Sequence, residues 1–490
     1  MSENLYYKSI KELSSMLEKK IISSVELTKA IIDRTNLVES KIQAFLSKDT
    51  ELAISEAKAS DLRRSQKSSF GFLDGIPIGI KDNIATLGQS QSCGSRILEN
   101  YISPYQSTVS YKLKEQGVVF WGRLNMDEFA MGSSTEYSAY KETANPWNTS
   151  RIPGGSSGGS AASVAAGEVI ASLGSDTGGS IRQPASLCGV VGLKPTYGRV
   201  SRYGLAAFAS SLDQIGPLAR SVEDIAYVLQ VIAGYDSLDS TSIDEKVPNY
   251  LASIKKNDNI KTIGVPKEYF TDNLSSDVRK SIEEAIKFYS NQGFKILNVS
   301  LPHMKFSLPV YHLLSTAEAS SNLARYDGVR YTNRIDKAKN ITELFTKSRS
   351  IGFGDEVKRR ILLGTHLLSS GYYDDYYLRA QKIRTLIRKD FINAFKKVDA
   401  LITPTTPSVA YKKGYFNDER GAFTMDSADI YTVSVNLSGL PSISLPCGFS
   451  VNKLPIGLQL IGKPFAESDI LYLSYIFEQA HEYYKTHPVI

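Results

Sequence analysis

Histidine, cysteine and long apolar runs are scarce in this sequence of 490 residues, and each scarcity excludes a class of protein. No apolar run approaches the length of about 18 residues that marks a membrane-spanning helix, so we expect no membrane span. The first residues lack the basic and apolar regions of a secretory signal. The three cysteines, Cys93, Cys188 and Cys447, form no CxxC pair, which predicts reduced thiols, a cytoplasmic protein and no metal site.

A strong charge bias is also missing. The 57 basic and 51 acidic residues give a net charge of +6, without the basic stripe of a dedicated nucleic-acid binder. With 42% apolar and 22% charged residues, the composition is that of an ordinary globular protein. No internal repeat or low-complexity linker divides the sequence, so we expect residues 1–490 to fold as one domain.

The first part of the sequence, residues 1–65, predicts a structural arm of helices. Ser23 is placed as an N-cap, and Glu26 three residues later completes a capping box. Ile22 and Leu27 occupy the two positions of a hydrophobic staple, which fixes how the chain enters the helix.

After Gly71, short strands alternate with helices, a pattern that predicts an α/β fold. The region 275–397 is mainly helical and contains a tyrosine-rich segment, 371–377, which we expect to form an aromatic core. Strands are predicted near residues 73–81, 118–122, 169–173, 400–404 and 441–446, and helices at 109–116, 161–167 and 378–388.

Glycine is crowded into one stretch, since 10 of the 35 glycines lie between Gly154 and Gly192. They form two loops, at 154–160 and 174–182. A phosphate-binding P-loop requires GxxxxGK followed by Ser or Thr, and neither loop has that lysine or the spacing of a dinucleotide fingerprint. A flexible linker is also disfavoured, because an apolar segment at 169–173 separates the loops. A nucleophile site remains as the best interpretation.

The second loop has the features of an oxyanion hole. Successive backbone N–H groups at Thr177, Gly178, Gly179 and Ser180 are placed to stabilise the charge of a tetrahedral intermediate. One such donor contributes about 2.7–4 kcal/mol to catalysis. A serine at the end of this turn is the expected nucleophile.

A serine nucleophile needs a base, and histidine is a poor candidate here because none precedes His303. The five histidines lie in helical or polar tail segments, where structural roles are common. Lys81 is the better candidate, because it ends an apolar strand whose burial lowers the pKa of an ammonium group. A neutral lysine can deprotonate one serine, which in turn activates a second.

The segments carrying these residues resemble the amidase signature family. The resemblance rests on GGSSGGS at 154–160, the small-residue helix at 161–167, GSDTGGSIR at 174–182, and the residues that follow up to Thr196. It extends to GIPIGIKD at 75–82 and to 441–448, and so covers nearly the whole chain. It implies one α/β domain with a signature core at 154–196 and a large mixed sheet covered by helices on both sides.

The resemblance also implies a Ser–Ser–Lys triad. Lys81 is then the base, Ser156 is the relay and follows a cis peptide bond, and Ser180 is the nucleophile that forms the acyl ester. The N–H groups from Thr177 to Ser180 keep the role of oxyanion hole.

Within the family, the chain is most similar to the glutamine-hydrolysing subunits of tRNA-dependent amidotransferases. Supporting segments lie at 197–204, 211–217, 317–328 and 357–364. This similarity implies that Tyr311 lines the substrate, Arg360 binds its α-carboxylate and Asp429 binds its α-amino group. Neighbouring Arg359 is an alternative to Arg360, and Asp426 an alternative to Asp429.

The implied reaction is hydrolysis of glutamine, with ammonia passed to a partner subunit that binds tRNA. That partner uses ATP and Mg to amidate Glu-tRNA(Gln), alone or together with Asp-tRNA(Asn), while this chain needs no cofactor and contacts tRNA mainly through the partner. A small third subunit completes an implied heterotrimer. The alternatives are a stand-alone amidase acting on other amides, and a silent scaffold subunit, which the presence of Lys81, Ser156 and Ser180 disfavours.

Overall fold

Eleven strands join into one mixed sheet in the computed structural model, which describes residues 4–257, 259–331, 333–416 and 427–490. The strands are β1 (Phe45–Ser47), β2 (Pro77–Lys81), β3 (Val119–Leu124), β4 (Ala171–Asp176), β5 (Val191–Lys194), β6 (Gln214–Ala219), β7 (Thr262–Pro266), β8 (Lys295–Val299), β9 (Ala400–Pro404), β10 (Ser442–Phe449) and β11 (Pro455–Gly462). Their order across the sheet is β1-β3-β2-β4-β6-β5-β10-β11-β9-β7-β8.

Parallel pairing is confined to two parts of the sheet. Strands β3, β2 and β4 are parallel neighbours, as are β9, β7 and β8, and the remaining neighbours are antiparallel. Because β2 and β4 run in the same direction, their carboxyl ends meet at one edge of the sheet. Lys81 ends β2 and Asp176 ends β4, so the fold brings the predicted base beside the glycine-rich loops.

Helices cover the sheet on both faces. Every residue of β4, β6, β9 and β11 is buried, and successive side chains of a strand point to opposite faces, so both faces are shielded as predicted. The α-helices of the described chain are α1 (Ile10–Glu18), α2 (Ser24–Ile42), α3 (Thr50–Ser65), α4 (Thr108–Glu115), α5 (Gly158–Ala166), α6 (Arg182–Cys188), α7 (Val222–Ile232), α8 (Tyr250–Ser253), α9 (Ser276–Asn291), α10 (Ser307–Asn322), α11 (Ile341–Gly352), α12 (Asp355–Leu367), α13 (Arg379–Phe395), α14 (Val433–Ser438) and α15 (Glu467–His481).

Most of the predicted elements are confirmed within a few residues. The capping box at the start of α2 is present, with Ser23 Oγ accepting from Glu26 N at 3.1 Å and Ser23 N donating to the Glu26 carboxylate at 2.7 Å. The three cysteines are buried free thiols. Among the helices described, none has both the length and the apolar character needed to cross a membrane.

Two predictions need correction. The strand predicted at 169–173 is β4 and spans Ala171–Asp176, because its pairing with β6 extends it to the polar residues that follow the apolar run. The tyrosine-rich segment does not form a core: Tyr372, Tyr373 and Tyr376 are 43%, 39% and 43% exposed. This segment forms a surface π-helix, Tyr373–Leu378, in which the tyrosine rings contact one another and the neighbouring His366.

Ser23→Ala is expected to lower the free energy of unfolding by about 1 kcal/mol, because one N–H at the start of α2 loses its acceptor. Ser15→Ala is a suitable control, since Ser15 is exposed in the interior of α1. Urea unfolding of both variants beside the parent measures the difference. Equal stability of Ser23→Ala and Ser15→Ala would contradict the prediction.

Candidate active site

The Nζ atom of Lys81 is surrounded by serine hydroxyls at the carboxyl end of β2. It lies 2.8 Å from Ser156 Oγ, 2.8 Å from Ser157 Oγ and 2.9 Å from Ser175 Oγ. The amide of Asn83 donates to the same Ser175 Oγ at 2.9 Å and so orients it. Lys81 is fully buried, and its hydrogen-bonding contacts in the described chain are neutral oxygens.

This environment favours the neutral amine. Burial lowers the pKa of Lys81 to about 7, and the negative charges of Asp127, Asp176 and Asp213 act in the opposite direction without overcoming it. A substantial fraction of Lys81 is therefore an amine near neutral pH. Its lone pair is then available to accept a proton from the nearby Ser156 hydroxyl.

The two glycine-rich loops meet above Lys81. The Gly155–Ser156 peptide bond is cis, as the resemblance implied. The side chain of Gln183 at the start of α6 accepts from Gly155 N at 2.9 Å, and Ser157 N donates to Ser180 O at 3.1 Å. These contacts hold the loop carrying Ser156 against the loop carrying Ser180.

The loop that connects β4 to α6 keeps its backbone donors available. Within the described ranges, no hydrogen bond is donated by the N–H groups of Thr177, Gly178, Gly179 or Ser180. The loop is fixed through its other atoms, because Thr177 Oγ1 donates to Asp213 at 2.7 Å and Thr432 Oγ1 donates to Gly178 O at 2.6 Å. Fixed donors without internal acceptors are what an oxyanion hole requires.

A buried ion pair anchors the start of α6. Arg182 Nε donates to Asp176 Oδ2 at 3.0 Å, and Arg182 Nη2 donates to Asp176 Oδ1 at 3.0 Å. Asn436 in α14 donates to the same carboxylate at 2.8 Å. The Arg182 charge holds the pKa of Asp176 at about 2, although burial alone would raise it. The loop from Thr177 to Ser180 is therefore fixed at both ends.

Tyr311 and Asp429 flank this loop. A Cβ added at Gly178 would lie 2.7 Å from Cζ of Tyr311 in α10, so the tyrosine ring packs directly on the loop. Asp429 lies in the 3₁₀ helix Ser427–Asp429, and a Cβ added at Gly179 would lie 2.8 Å from its Oδ1. The hydroxyl of Ser133 donates to the other carboxylate oxygen of Asp429. The alternative residue for this position, at 426, lies outside the described residues.

The structure separates the two candidate arginines of α12. The side chain of Arg360 is 2% exposed, whereas that of Arg359 is 37% exposed. Both form ion pairs with Glu356, at 2.6 Å from Arg360 and 2.7 Å from Arg359. The Arg360 guanidinium lies 5.7 Å from the ring centroid of Phe208, whose backbone N–H donates to Asp213. A chain of contacts therefore links Arg360 to the loop: Arg360 lies over Phe208, Phe208 N donates to Asp213, and Asp213 accepts from Thr177 Oγ1.

Sequence reasoning did not identify four residues that contact the predicted triad or lie beside it: Asn83, Asp127, Ser157 and Ser175. Ser175 lies in β4, next to its last residue Asp176. The predicted strand ended at residue 173, so Ser175 was not placed at a strand end. Ser157 and Asn83 lie directly after predicted site residues, which is the signal that was available for them. Asp127 follows β3, and only the parallel pairing of β3 with β2 brings it near Lys81.

The histidines do not contribute to this cluster. His303 pairs with Asp390 at 2.9 Å, His481 contacts Phe477 O at 3.0 Å, and His487 stacks on Tyr7 with ring centroids 3.8 Å apart. Nor do the described residues gather three or more His, Cys, Asp or Glu side chains in a way that could hold a metal ion. What the cluster can do chemically is pass a proton between serine hydroxyls and a buried amine.

Lys81→Met is expected to change how stability depends on pH. The folded-state pKa of Lys81 is about 7 and its ordinary value is 10.5, so between these values the unfolded chain binds more protons. The parent should therefore gain stability over the variant as pH rises through this window, by about 1.4 kcal/mol per pH unit at most. Thermal unfolding of both proteins at about pH 6.5 and 9.5 tests this, and a pH-independent difference would contradict it.

Comparison with known proteins places this site in a family. A family model described as Amidase matches residues 26–471. Two proteins named as A subunits of glutamyl-tRNA(Gln) amidotransferase, from Carboxydothermus hydrogenoformans and Moorella thermoacetica, are 56% and 54% identical to the chain, with 99% of each sequence covered.

Solved structures agree with this comparison. The crystal structure of the glutamyl-tRNA(Gln) amidotransferase A subunit from Thermotoga maritima is 42% identical, covers 96% of this chain and 94% of its own, and has a TM-score of 0.79. The structure of the peptide amidase from Stenotrophomonas maltophilia is 27% identical, covers 97% of both chains and has a TM-score of 0.81. Since the family model and these similarities span nearly the whole sequence, the chain belongs to the amidase signature family.

Proposed function

We propose that this chain is the glutamine-hydrolysing subunit of a tRNA-dependent amidotransferase. The observation that carries the proposal is the identity of 52–56% along the full length to several proteins named as A subunits of glutamyl-tRNA(Gln) amidotransferase. The site supports it, because a buried amine hydrogen-bonds Ser156 beside a loop with unused N–H donors. The reaction is hydrolysis of the glutamine carboxamide to glutamate and ammonia.

In the acylation step, Ser180 is the nucleophile. Its Oγ bonds to the carboxamide carbon while its proton passes to Ser156 Oγ, and the Ser156 proton passes to Nζ of Lys81. The N–H groups of the 177–180 loop stabilise the resulting oxyanion. Collapse of the intermediate breaks the C–N bond, and the proton held by Lys81 returns through Ser156 to the departing ammonia.

In the deacylation step, water takes the place of ammonia. Lys81 and Ser156 remove a proton from the water as its oxygen bonds to the ester carbon. A second tetrahedral intermediate forms in the same oxyanion hole and then releases glutamate. Ser180 recovers its proton through the same relay, so the triad ends each cycle in its starting state.

Recognition of glutamine falls to three side chains around the loop. Arg360 binds the α-carboxylate, for which a guanidinium offers paired N–H donors. Asp429 binds the α-ammonium group, and the ring of Tyr311 lines the side chain of the substrate. Three observations support this proposal. Tyr311 packs against Gly178, Asp429 lies beside Gly179, and Arg360 is buried.

The remaining steps belong to other chains of a cytoplasmic heterotrimer. A partner subunit receives the ammonia and uses ATP and Mg to amidate Glu-tRNA(Gln), alone or together with Asp-tRNA(Asn). A small third subunit completes the complex, and the partner makes most of the contacts with tRNA. This chain acts without a cofactor as one domain, with a helical arm at 1–65, a signature core at 154–196 and a helical region at 275–397.

Ser180→Ala is expected to abolish glutamine hydrolysis and glutamine-dependent amidation in the purified complex, because no nucleophile remains to form the acyl ester. Ser163→Ala is a matched control, since Ser163 is a buried serine of α5 whose hydroxyl donates to Ser160 O. Ammonia release and amidation of both misacylated tRNAs are measured. Full glutaminase activity in Ser180→Ala would refute the nucleophile assignment.

The same assay separates the stand-alone amidase from the amidotransferase component. We expect the complex to use glutamine and the isolated chain to hydrolyse simple aliphatic amides poorly. Faster hydrolysis of aliphatic amides by the isolated chain than of glutamine by the complex would favour the stand-alone amidase.

Arg360→Lys is expected to raise KM for glutamine by about tenfold to a hundredfold, because loss of a charged bidentate contact costs roughly 1.5–3 kcal/mol. Arg359→Lys is the control, since this neighbour pairs with the same Glu356 but its side chain is 37% exposed, against 2% for Arg360. Steady-state kinetics of glutamine hydrolysis compare the two. A larger KM in Arg359→Lys would reverse the assignment.

A further inference from the structure

Three buried carboxylates raise the pKa of Lys81 through their charge, and two of them are fully engaged by other groups. Asp176 pairs with Arg182 through both oxygens. Asp213 accepts from Thr177 Oγ1 and from backbone N–H groups, one of which belongs to Phe208. These two carboxylates therefore serve to hold the oxyanion loop and α6 in place.

The third carboxylate, Asp127, is only partly engaged. Its Oδ1 accepts from Tyr137 N at 3.2 Å, and the backbone N–H of Thr135 also favours the ionised carboxyl by lowering its pKa. Its Oδ2 is buried and meets no donor with hydrogen-bond geometry among the described residues. A Cβ added at Gly155 would overlap this Oδ2, so the free oxygen lies directly against the residue that precedes Ser156. The backbone N–H of Asp127 donates to Ser156 O at 3.3 Å. An unpartnered carboxylate oxygen is costly to bury and calls for an explanation.

The proposed mechanism supplies a role for that oxygen. Each proton transfer to Lys81 creates an ammonium group in a site where its contacts are neutral oxygens. A buried charge without a counter-charge is strongly disfavoured. Asp127 is the first among the charges that raise the pKa of Lys81. Burial raises the pKa of Asp127 itself to about 6, so it is mostly ionised at neutral pH.

We propose that Asp127 is a positioning residue whose carboxylate supplies the counter-charge for the ammonium form of Lys81 during acylation and deacylation. The proposal rests on the proposed function, in which Lys81 is the base. Asp127 touches no substrate and takes no proton from the relay. Its effect is to stabilise the state in which Nζ holds the proton of Ser156, and hence both tetrahedral intermediates.

The other titratable groups near the pair belong to elements packed around it. Asp176, Asp213 and Cys93 face Lys81, and the buried Cys93 thiol stays neutral because burial holds its pKa well above the ordinary value. Glu136 and Tyr137 face Asp127. None of these groups is altered in the test below, so a change in the pH profile reports on Asp127.

The test compares Asp127→Asn with Asp224→Asn. Asp224 is a matched control, because it is equally buried, has one unpartnered oxygen, and has a pKa raised to about 6 by burial. It lies in α7, where it accepts from Ile10 N at the start of α1, and it is not among the charges that act on Lys81. Two rates are measured against pH: glutamine hydrolysis by the complex, and phosphonylation of Ser180 by a fluorophosphonate. In the latter, an O–P bond forms, fluoride leaves and the Ser180 proton passes through Ser156 to Lys81.

Removing the negative charge lowers the pKa of Lys81, so a neutral amine persists at lower pH. In a plot of each rate against pH, the acid limb is the region where the rate falls as Lys81 becomes protonated. We expect this limb in Asp127→Asn to move to lower pH by about 0.5 to 1 unit. The plateau should fall about tenfold, because the ammonium form is less stabilised. Asp224→Asn should keep the parental limb and plateau. A structural defect alone would lower the plateau and leave the limb in place.

An unmoved limb in Asp127→Asn, or a limb moved to higher pH, would overturn the proposal. Asp127→Ser, which also lacks the charge, should shift the limb in the same direction. If neither variant unfolds cooperatively near the parental temperature while Asp224→Asn does, the carboxylate is required for folding, and this too overturns the proposal. Failure of the parent complex to hydrolyse glutamine would refute the proposed function, whereas the fluorophosphonate arm would still test Asp127.

Discussion

The burial of one amine among hydroxyl groups is the constraint on which the active site depends. Lys81 ends a strand in the interior of the sheet, and water is excluded from its Nζ. Since an ammonium group there is poorly solvated, the amine form persists at a pH where an exposed lysine would be fully protonated. The hydrogen bonds between Nζ and the hydroxyls of Ser156, Ser157 and Ser175 then fix the orientation of the amine.

The sheet supplies both the burial and the geometry. Parallel pairing of β2 with β4 places the strand end that carries Lys81 beside the strand end that leads to Ser180. Polar side chains then fix the connecting loop from outside, through Asp213 on one side and the Asp176–Arg182 pair on the other. The Asp213 contact engages the Thr177 hydroxyl, and Thr432 Oγ1 donates to the Gly178 carbonyl oxygen, so the N–H groups of the loop stay available for a ligand.

Local signals in the sequence were sufficient for part of this arrangement. The capping box at Ser23 and the apolar strand ending at Lys81 involve only neighbouring residues, so both could be predicted. The long signature motif identified the serine loops and the family. Asp127, by contrast, comes near Lys81 only through the pairing of β3 with β2, which joins residues far apart in the sequence. The exposed tyrosines of the π-helix show that aromatic composition alone does not determine burial.

The available N–H groups of the 177–180 loop also have an evolutionary consequence. A donor that belongs to the backbone is present whatever side chain the residue carries, and only replacement by proline removes it. In the proposed site, mutation can therefore alter the positions around Tyr311, Arg360 and Asp429, which we propose face the substrate, while the backbone donors proposed to stabilise the oxyanion persist. A loop of this kind lets one fold acquire new amide substrates by small steps, without passing through forms that have lost the chemistry.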